Sequence, residues 1–421
     1  MFKEHPLRRA LAEEIHARPP ANLAAPVQVS HIALISGEDG MAPHVAHLEA
    51  LCKHFRVAPP SADATHFSAD LGEIRLTWER HTEFSTFTII RPGAFAQPFK
   101  GTAVDGLPKD WLTNLPGQVI AACHVAVETG QGSHRTPSDL AGLFDNNPLN
   151  GSIVSGGSAW LWTDFQLHSD GFTRFLFNVG EITPPTLGRL VQRMLEIETY
   201  RMMAMLAFPL AKESRPRLTA VETKLGGIIA RLGTREAVED ERQLLDDLSA
   251  LAAETEAVNV ATAYRFAATG AYEAIVYERI SALREARFLG RQGFGEFMMR
   301  RYAPAMRTVK STETRLQTLA ARALRAADLL RTRVDVERSA QNQAILASMD
   351  RRADLQLRLQ HTVEGLSVVA ISYYAVSLAG YLLYPLAAPL GVSKGLLTAA
   401  VTLPVVLGVW WTLRRLRRKI G

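Results

Sequence analysis

The chain has 421 residues, 47% of them hydrophobic, and a formal net charge of +5, so it is long enough for more than one folding unit. Its two cysteines, Cys52 and Cys123, exclude a disulfide framework or a zinc cluster and fit a reducing cytosol. The modest basic excess is concentrated towards the C-terminal third, which reads as membrane-proximal surface and gives no nucleic-acid partner.

Taken in chain order, Met1–Arg18 is charged and has no apolar core of signal-peptide length, so no secretory signal is expected. Pro26–Ser36 alternates like a strand, with Val27, Val29, His31, Ala33 and Ile35 on one face. Asp39–Phe55 has helical spacing, its stripe formed by Val45, Leu48, Leu51 and Cys52. Glu73–Arg80 and Glu83–Arg91 form a predicted hairpin around His81-Thr82, and Gln118–Glu128 a further strand. Gly151–Val179 holds two or three more, with an Asp-Gly turn at Asp170-Gly171. Residues 1–183 therefore read as a cytosolic α+β domain.

From Pro184 the pattern turns helical, and residues 184–362 read as a helical bundle and stalk. Leu187–Leu210 is a predicted helix ending near Pro209, its methionines being adaptable core. Leu218–Arg231 and Arg235–Leu289 continue as helices, with breaks at Gly226-Gly227, Gly233 and Gly270 and a turn at Gly290–Gly295. Beyond Ala305 no glycine or proline interrupts the chain until Gly365, and Leu316, Leu319, Ala323, Ala327, Leu330 and Val334 mark one packing face. A single stalk helix of about 75–80 residues, over 100 Å long at about 1.5 Å per residue, follows from this spacing. A helix of that length needs partners, from the preceding helices or from sister subunits, and a homo-oligomer joined through the stalk is expected. Its Arg300–Thr362 part carries 13 Lys or Arg against 6 Asp or Glu, the pattern of a solvated face near anionic lipid.

Residues 363–421 contain two uncharged apolar runs, Leu366–Leu386 and Leu396–Leu413, joined by a short connection. As helices they reach about 31 and about 27 Å, enough for a hydrocarbon core of about 30 Å. A two-helix transmembrane hairpin is the expectation, with the lipid bilayer as its partner. Arg351, Arg352 and Arg358 precede it and Arg414, Arg415, Arg417, Arg418 and Lys419 follow, against Lys394 alone in the connection. Basic flanks stay on the cytoplasmic side, so both termini are placed there.

Two resemblances extend this reading. His5-Pro6-Leu7-Arg8, then Glu14 and His16-Ala17-Arg18-Pro19-Pro20, resemble the opening signature of DUF3422, a bacterial family of uncharacterised membrane-anchored proteins. Trp78-Glu79-Arg80-His81-Thr82-Glu83-Phe84 is similar to a second block of that family, and the hairpin matches its ending. The resemblance implies a multi-pass protein of the bacterial inner membrane and carries no activity. The order of α+β domain, stalk, two spans and basic tail is also similar to the CorA-type magnesium transporter superfamily, which implies a pentamer with the first span lining a pore. The Gly-Met-Asn of that superfamily is replaced here by Tyr381–Gly391, and the outer connection has no acid. Hydrated Mg²⁺, which prefers oxygen ligands, has no evident filter.

Chemical candidates are few. On one strand face Glu79 and His81 are neighbours, with Glu83 next if the strand continues, and such residues can hold a metal or move a proton. Charged strand residues more often face solvent and pair across strands. His44 and His47 sit three apart on a helix and read as a surface pair, while His16 and Arg18 form an arm that docks by hydrogen bonds. The polar segments Asp145–Gly151 and Ser155–Ser158 read as turns. No Walker, dinucleotide, zinc-protease or nucleophile-elbow motif occurs, so no cofactor is predicted. The leading reading is a non-enzymatic membrane protein with a scaffold or regulatory role. An oligomeric channel comes second, and a metal-dependent enzyme using Glu79 and His81 last.

Overall fold

A computed structural model describes residues 2, 4–9, 11–12, 20–37, 40–130, 135–232, 241–288, 290–387 and 393–420, with backbone only for 241–242 and 416–420. Glu14, His16, Arg18, Pro19 and most of the short connection between the apolar runs lie outside the described residues, as do the side chains of Arg417, Arg418 and Lys419. The protein is mixed α+β, and it divides into two compact units, Met1–Ala327 and Asp328–Gly421.

The first unit is built on β1 (Val27–Ile35), β2 (His66–Asp70), β3 (Arg75–Arg80), β4 (Phe84–Pro92), β5 (Gln118–Thr129), β6 (Asn150–Val154), β7 (Ala159–Thr163), β8 (Thr173–Val179) and β9 (Ala286–Arg287). They form one sheet in the order β2-β3-β4-β1-β5-β8-β7-β6-β9. All neighbours are antiparallel except β5 and β8. The central strand β1 is buried along nearly its whole length, because helices cover both faces of the sheet there.

One face lies under α1 (Ala42–Phe55), whose Leu48, Leu51 and Cys52 pack with Ile32, Leu34, Leu76, Trp78, Phe87 and Ile89. The opposite face lies under α3 (Pro184–Met205). Here Leu190, Met194 and Ile197 meet Val125, Val127, Phe175 and Phe177, with Val276 of α5 (Glu241–Ala282) behind them. The short helix α2 (Pro137–Leu143) opens on a capping box in which Thr136 and Asp139 satisfy each other's backbone N–H groups.

α3 passes directly into α4 (Ala207–Leu232), so Pro209 falls in the first turn of a new helix, where a missing N–H costs no hydrogen bond. Two expected breaks are corrected: Gly226-Gly227 lies within α4 and Gly270 within α5. A helical glycine costs only about 1 kcal/mol, which burial of Leu225 and Ile228 on one side, and of Phe266 and Val276 on the other, outweighs.

α6 (Phe294–Ala387) is a single helix of 94 residues that begins in the first unit and runs through the second. Its start is held by Glu285, whose two oxygens accept from the backbone N–H groups of Phe294 (2.5 Å) and Gly295 (2.8 Å). A Cβ at Gly293 or Gly295 would come within 2.5 or 2.7 Å of that carboxylate. The glycines of the 290–295 turn thus admit an anion to the positive end of the helix. Of the expected stripe, Leu316, Leu319, Ala323 and Leu330 are buried, whereas Ala327 and Val334 are half-buried.

In the second unit α6 is followed by α7 (Lys394–Ile420). Both helices contain a segment long and apolar enough to cross a membrane, with mean hydropathy 1.7 in α6 and 1.9 in α7. Protein buries 11% of the first segment and 0% of the second.

Candidate functional site

The sheet register brings the polar residues of the first unit into rows. Thr77 of β3 faces Thr88 of β4, which faces His31 of β1, and Glu79 faces Thr86, which faces Ala33. Side chains alternate across a strand, so Thr77, Glu79, Thr86, Thr88 and His31 all point to the α3 side. A cavity of about 330 Å³ lies between them and α3. Its walls include Val29, Ile90, Val191 and Leu195 on the apolar side and Gln192, Glu196, Thr199, Tyr200 and Arg279 on the polar side. At the mouth, residues 20–23 run against α3, with Leu23 N–H donating to the Pro184 carbonyl at 3.2 Å. Gly188 permits this approach, since a Cβ there would sit 1.7 Å from the Ala21 oxygen.

His31 is buried, and both its ring nitrogens meet hydroxyls, Nδ1 to Thr88 Oγ1 at 2.8 Å and Nε2 to Thr199 Oγ1 at 3.0 Å. Burial, aided by the nearby His81, lowers its pKa to about 3. The ring is therefore neutral at physiological pH, with one nitrogen donating and the other accepting. His81 stacks on Phe84 at 4.2 Å, with Nε2 3.9 Å from Glu79 Oε2. Arg279 pairs with Glu196 and also with Glu278 at 2.8 Å. Gln192 donates to Glu196 at 3.1 Å. Thr86 stands apart: it is 3% exposed and its Oγ1 has no hydrogen-bond partner among the described residues.

The block Trp78–Phe84 is thus divided by the strand alternation. Trp78 is in the apolar core under α1, while Glu79 and His81 border the cavity. Glu83 is not brought to them, because β3 ends at Arg80 and the turn points Glu83 at α5. There it accepts from Arg265 Nη2 at 2.7 Å and from the Tyr272 hydroxyl at 2.5 Å. Burial and this carboxylate push the Tyr272 pKa up. Among the described residues no three His, Cys, Asp or Glu converge in a way that could hold a metal ion. Among the described residues His5 and Arg8 make local contacts, Leu7 N–H to His5 Nδ1 at 3.2 Å and Arg8 to Glu4 at 3.2 Å.

The expected surface pair His44 and His47 is corrected. His44 is 1% exposed and bonds Ser85 Oγ at 2.7 Å, and His47 lies 4.9 Å from the Trp111 ring. The helix turns these residues towards the sheet, and burial lowers both pKa values. A second polar cluster closes the far loops: His168 Nδ1 meets Asp145 at 2.8 Å, and its Nε2 lies 3.0 Å from buried Asp164. Asn147 donates to Asp164 at 2.8 Å. These bonds turn the segment read as Asp145–Gly151 into a tie between two loops. Below α3, buried Glu198 pairs with Arg201 at 2.6 Å, a satisfied charge within the core.

Sequence reasoning missed His31, Thr86, Thr88, Thr199 and Arg279 as cavity residues. The signal was the alternation of Thr77, Glu79 and His81, and of Thr86 and Thr88, with Leu76, Trp78, Phe87 and Ile89 beside them. No curated protein and no solved structure matches the chain. A family model described as protein of unknown function, DUF3422, matches residues 3–420. The chain belongs to the DUF3422 family, whose model spans nearly its whole length.

Proposed function

We propose that this protein is anchored in the bacterial inner membrane by the apolar parts of α6 and α7, with both termini on the cytoplasmic side, and that it serves as a scaffold or regulator. The observation that supports this reading is apolar surface left exposed among the described residues. Leu366, Val369, Tyr381, Leu382 and Leu403 are each at least 69% exposed. Leaving such a surface in water costs about 25 cal/mol per Å², which a bilayer removes. Arg414 and Arg415 lie over Trp410 and Trp411 at 4.9 and 5.2 Å, an arrangement suited to the membrane–water interface. Self-association belongs to the same reading. Ile345, Met349, Leu355 and Leu359 of α6 are each more than half exposed and recur at near-helical spacing ahead of the apolar segment.

Alkaline carbonate washing of membranes containing the full chain tests the anchor: retention in the pellet is expected, and release into the wash contradicts it. Light scattering of the detergent-solubilised protein tests self-association, for which a monomer is the contrary result. A pentamer that passes cations in liposomes would replace the scaffold by a CorA-like pore.

A further inference from the structure

We propose that the cavity under α3 binds a small uncharged molecule rich in hydroxyl groups, of the sugar or cyclitol class. This goes beyond the membrane reading and does not depend on it. The cavity volume of about 330 Å³ lies at the lower end of small-molecule sites, which run from about 300 to about 1,000 Å³. Thr86 is the second observation. The residue lines the cavity, and its hydroxyl is buried and has no hydrogen-bond partner among the described residues. A buried hydroxyl without a partner costs stability, and a ligand hydroxyl in the cavity would supply the missing bond.

The chemistry of the walls selects the class. Thr77, Thr86 and Thr88 can each donate and accept, as sugar hydroxyls do. Arg279, the one Lys or Arg among the described lining residues, is already shared by Glu196 and Glu278. Glu79 and Glu196 face the same space, so among the described residues an anion meets two carboxylates and one cation that is already paired. A cation is no better placed, since Arg279 neutralises Glu196 and His81 stands beside Glu79. Val29, Ile90 and Leu195, with the ring of Phe84, offer an apolar wall to the C–H face of a sugar ring.

The test uses full-length protein in detergent micelles, with thermal shift and titration calorimetry. Glucose, trehalose and myo-inositol are the neutral probes, phosphate and citrate the anions, and spermidine the cation. Saturable binding of at least one neutral probe, and none of the charged ones, is expected. Thr86→Val keeps the side-chain shape and removes only the hydroxyl. It should melt no lower than the wild type and bind the probe about tenfold more weakly or worse. Thr77→Phe, at a half-buried position on the cavity edge, should block the same binding without unfolding the sheet. Binding of a charged probe in place of a neutral one, no neutral probe binding, or undiminished binding by whichever variant folds would overturn the proposal.

Discussion

Strands β3 and β4 have two faces of opposite character. Under α1, Leu76, Trp78, Phe87 and Ile89 are all fully buried in a continuous apolar core. Under α3, the alternate positions of the same strands carry Thr77, Glu79, Thr86 and Thr88. Both faces lie beneath helices, but the α3 side is less closely covered: Thr86 is buried, whereas Thr77, Glu79 and Thr88 are half-buried. An apolar second face would have packed against α3 as the first does against α1, and it would have been more stable. The polar face gives up that packing and retains a cavity. Such a departure from core rules is expected where a protein binds something.

This contrast can be broken at four points, from the largest expected effect to the smallest. Trp78→Ala removes the largest side chain of the apolar face and should lower unfolding free energy by about 3–5 kcal/mol in denaturant titration. On the α3 side, Arg201→Met leaves Glu198 buried without its partner and should cost about 3 kcal/mol. A smaller loss would mean that the pair is not structural. The third point is pH. The unfolded chain takes up the His31 proton near its ordinary value of 6.5, the folded one only near 3, so acid favours unfolding. Stability from this group is complete above about pH 6.5 and should fall by about 2 kcal/mol between about pH 7 and about pH 5. His124, lowered to about 4 by burial, adds to the same slope. His31→Gln should flatten the profile, and an unchanged slope would place the titration elsewhere. The smallest effect is that of Thr86→Val.

The same contrast shows what the sequence could convey. The apolar runs of α6 and α7 announced helices of spanning length, because lipid selects composition directly. Threonines announced only strand, since they suit β structure whether or not their hydroxyls have partners. Glu83 was grouped with Glu79 and His81 on the assumption that the strand continued, yet the turn after Arg80 sends it to Arg265. His44 looked like a surface residue because helical spacing gives faces without naming what lies opposite. β2 (HFSAD) alternates over only five residues and β9 has only two, too short a stretch to be read, and only the sheet edge defines them. Arg279 joins the cavity from about 80 residues beyond α3, a tertiary contact that no local pattern encodes.

The most direct measurement of the two-face difference is the unfolding free energy of Thr86→Val beside the wild type. If the α3 face is reserved for a ligand, losing an unpartnered hydroxyl leaves stability unchanged or raises it by up to about 1 kcal/mol. A loss of about 1 kcal/mol or more would show that Thr86 Oγ1 is bonded within the fold, and that the polar face is structural after all.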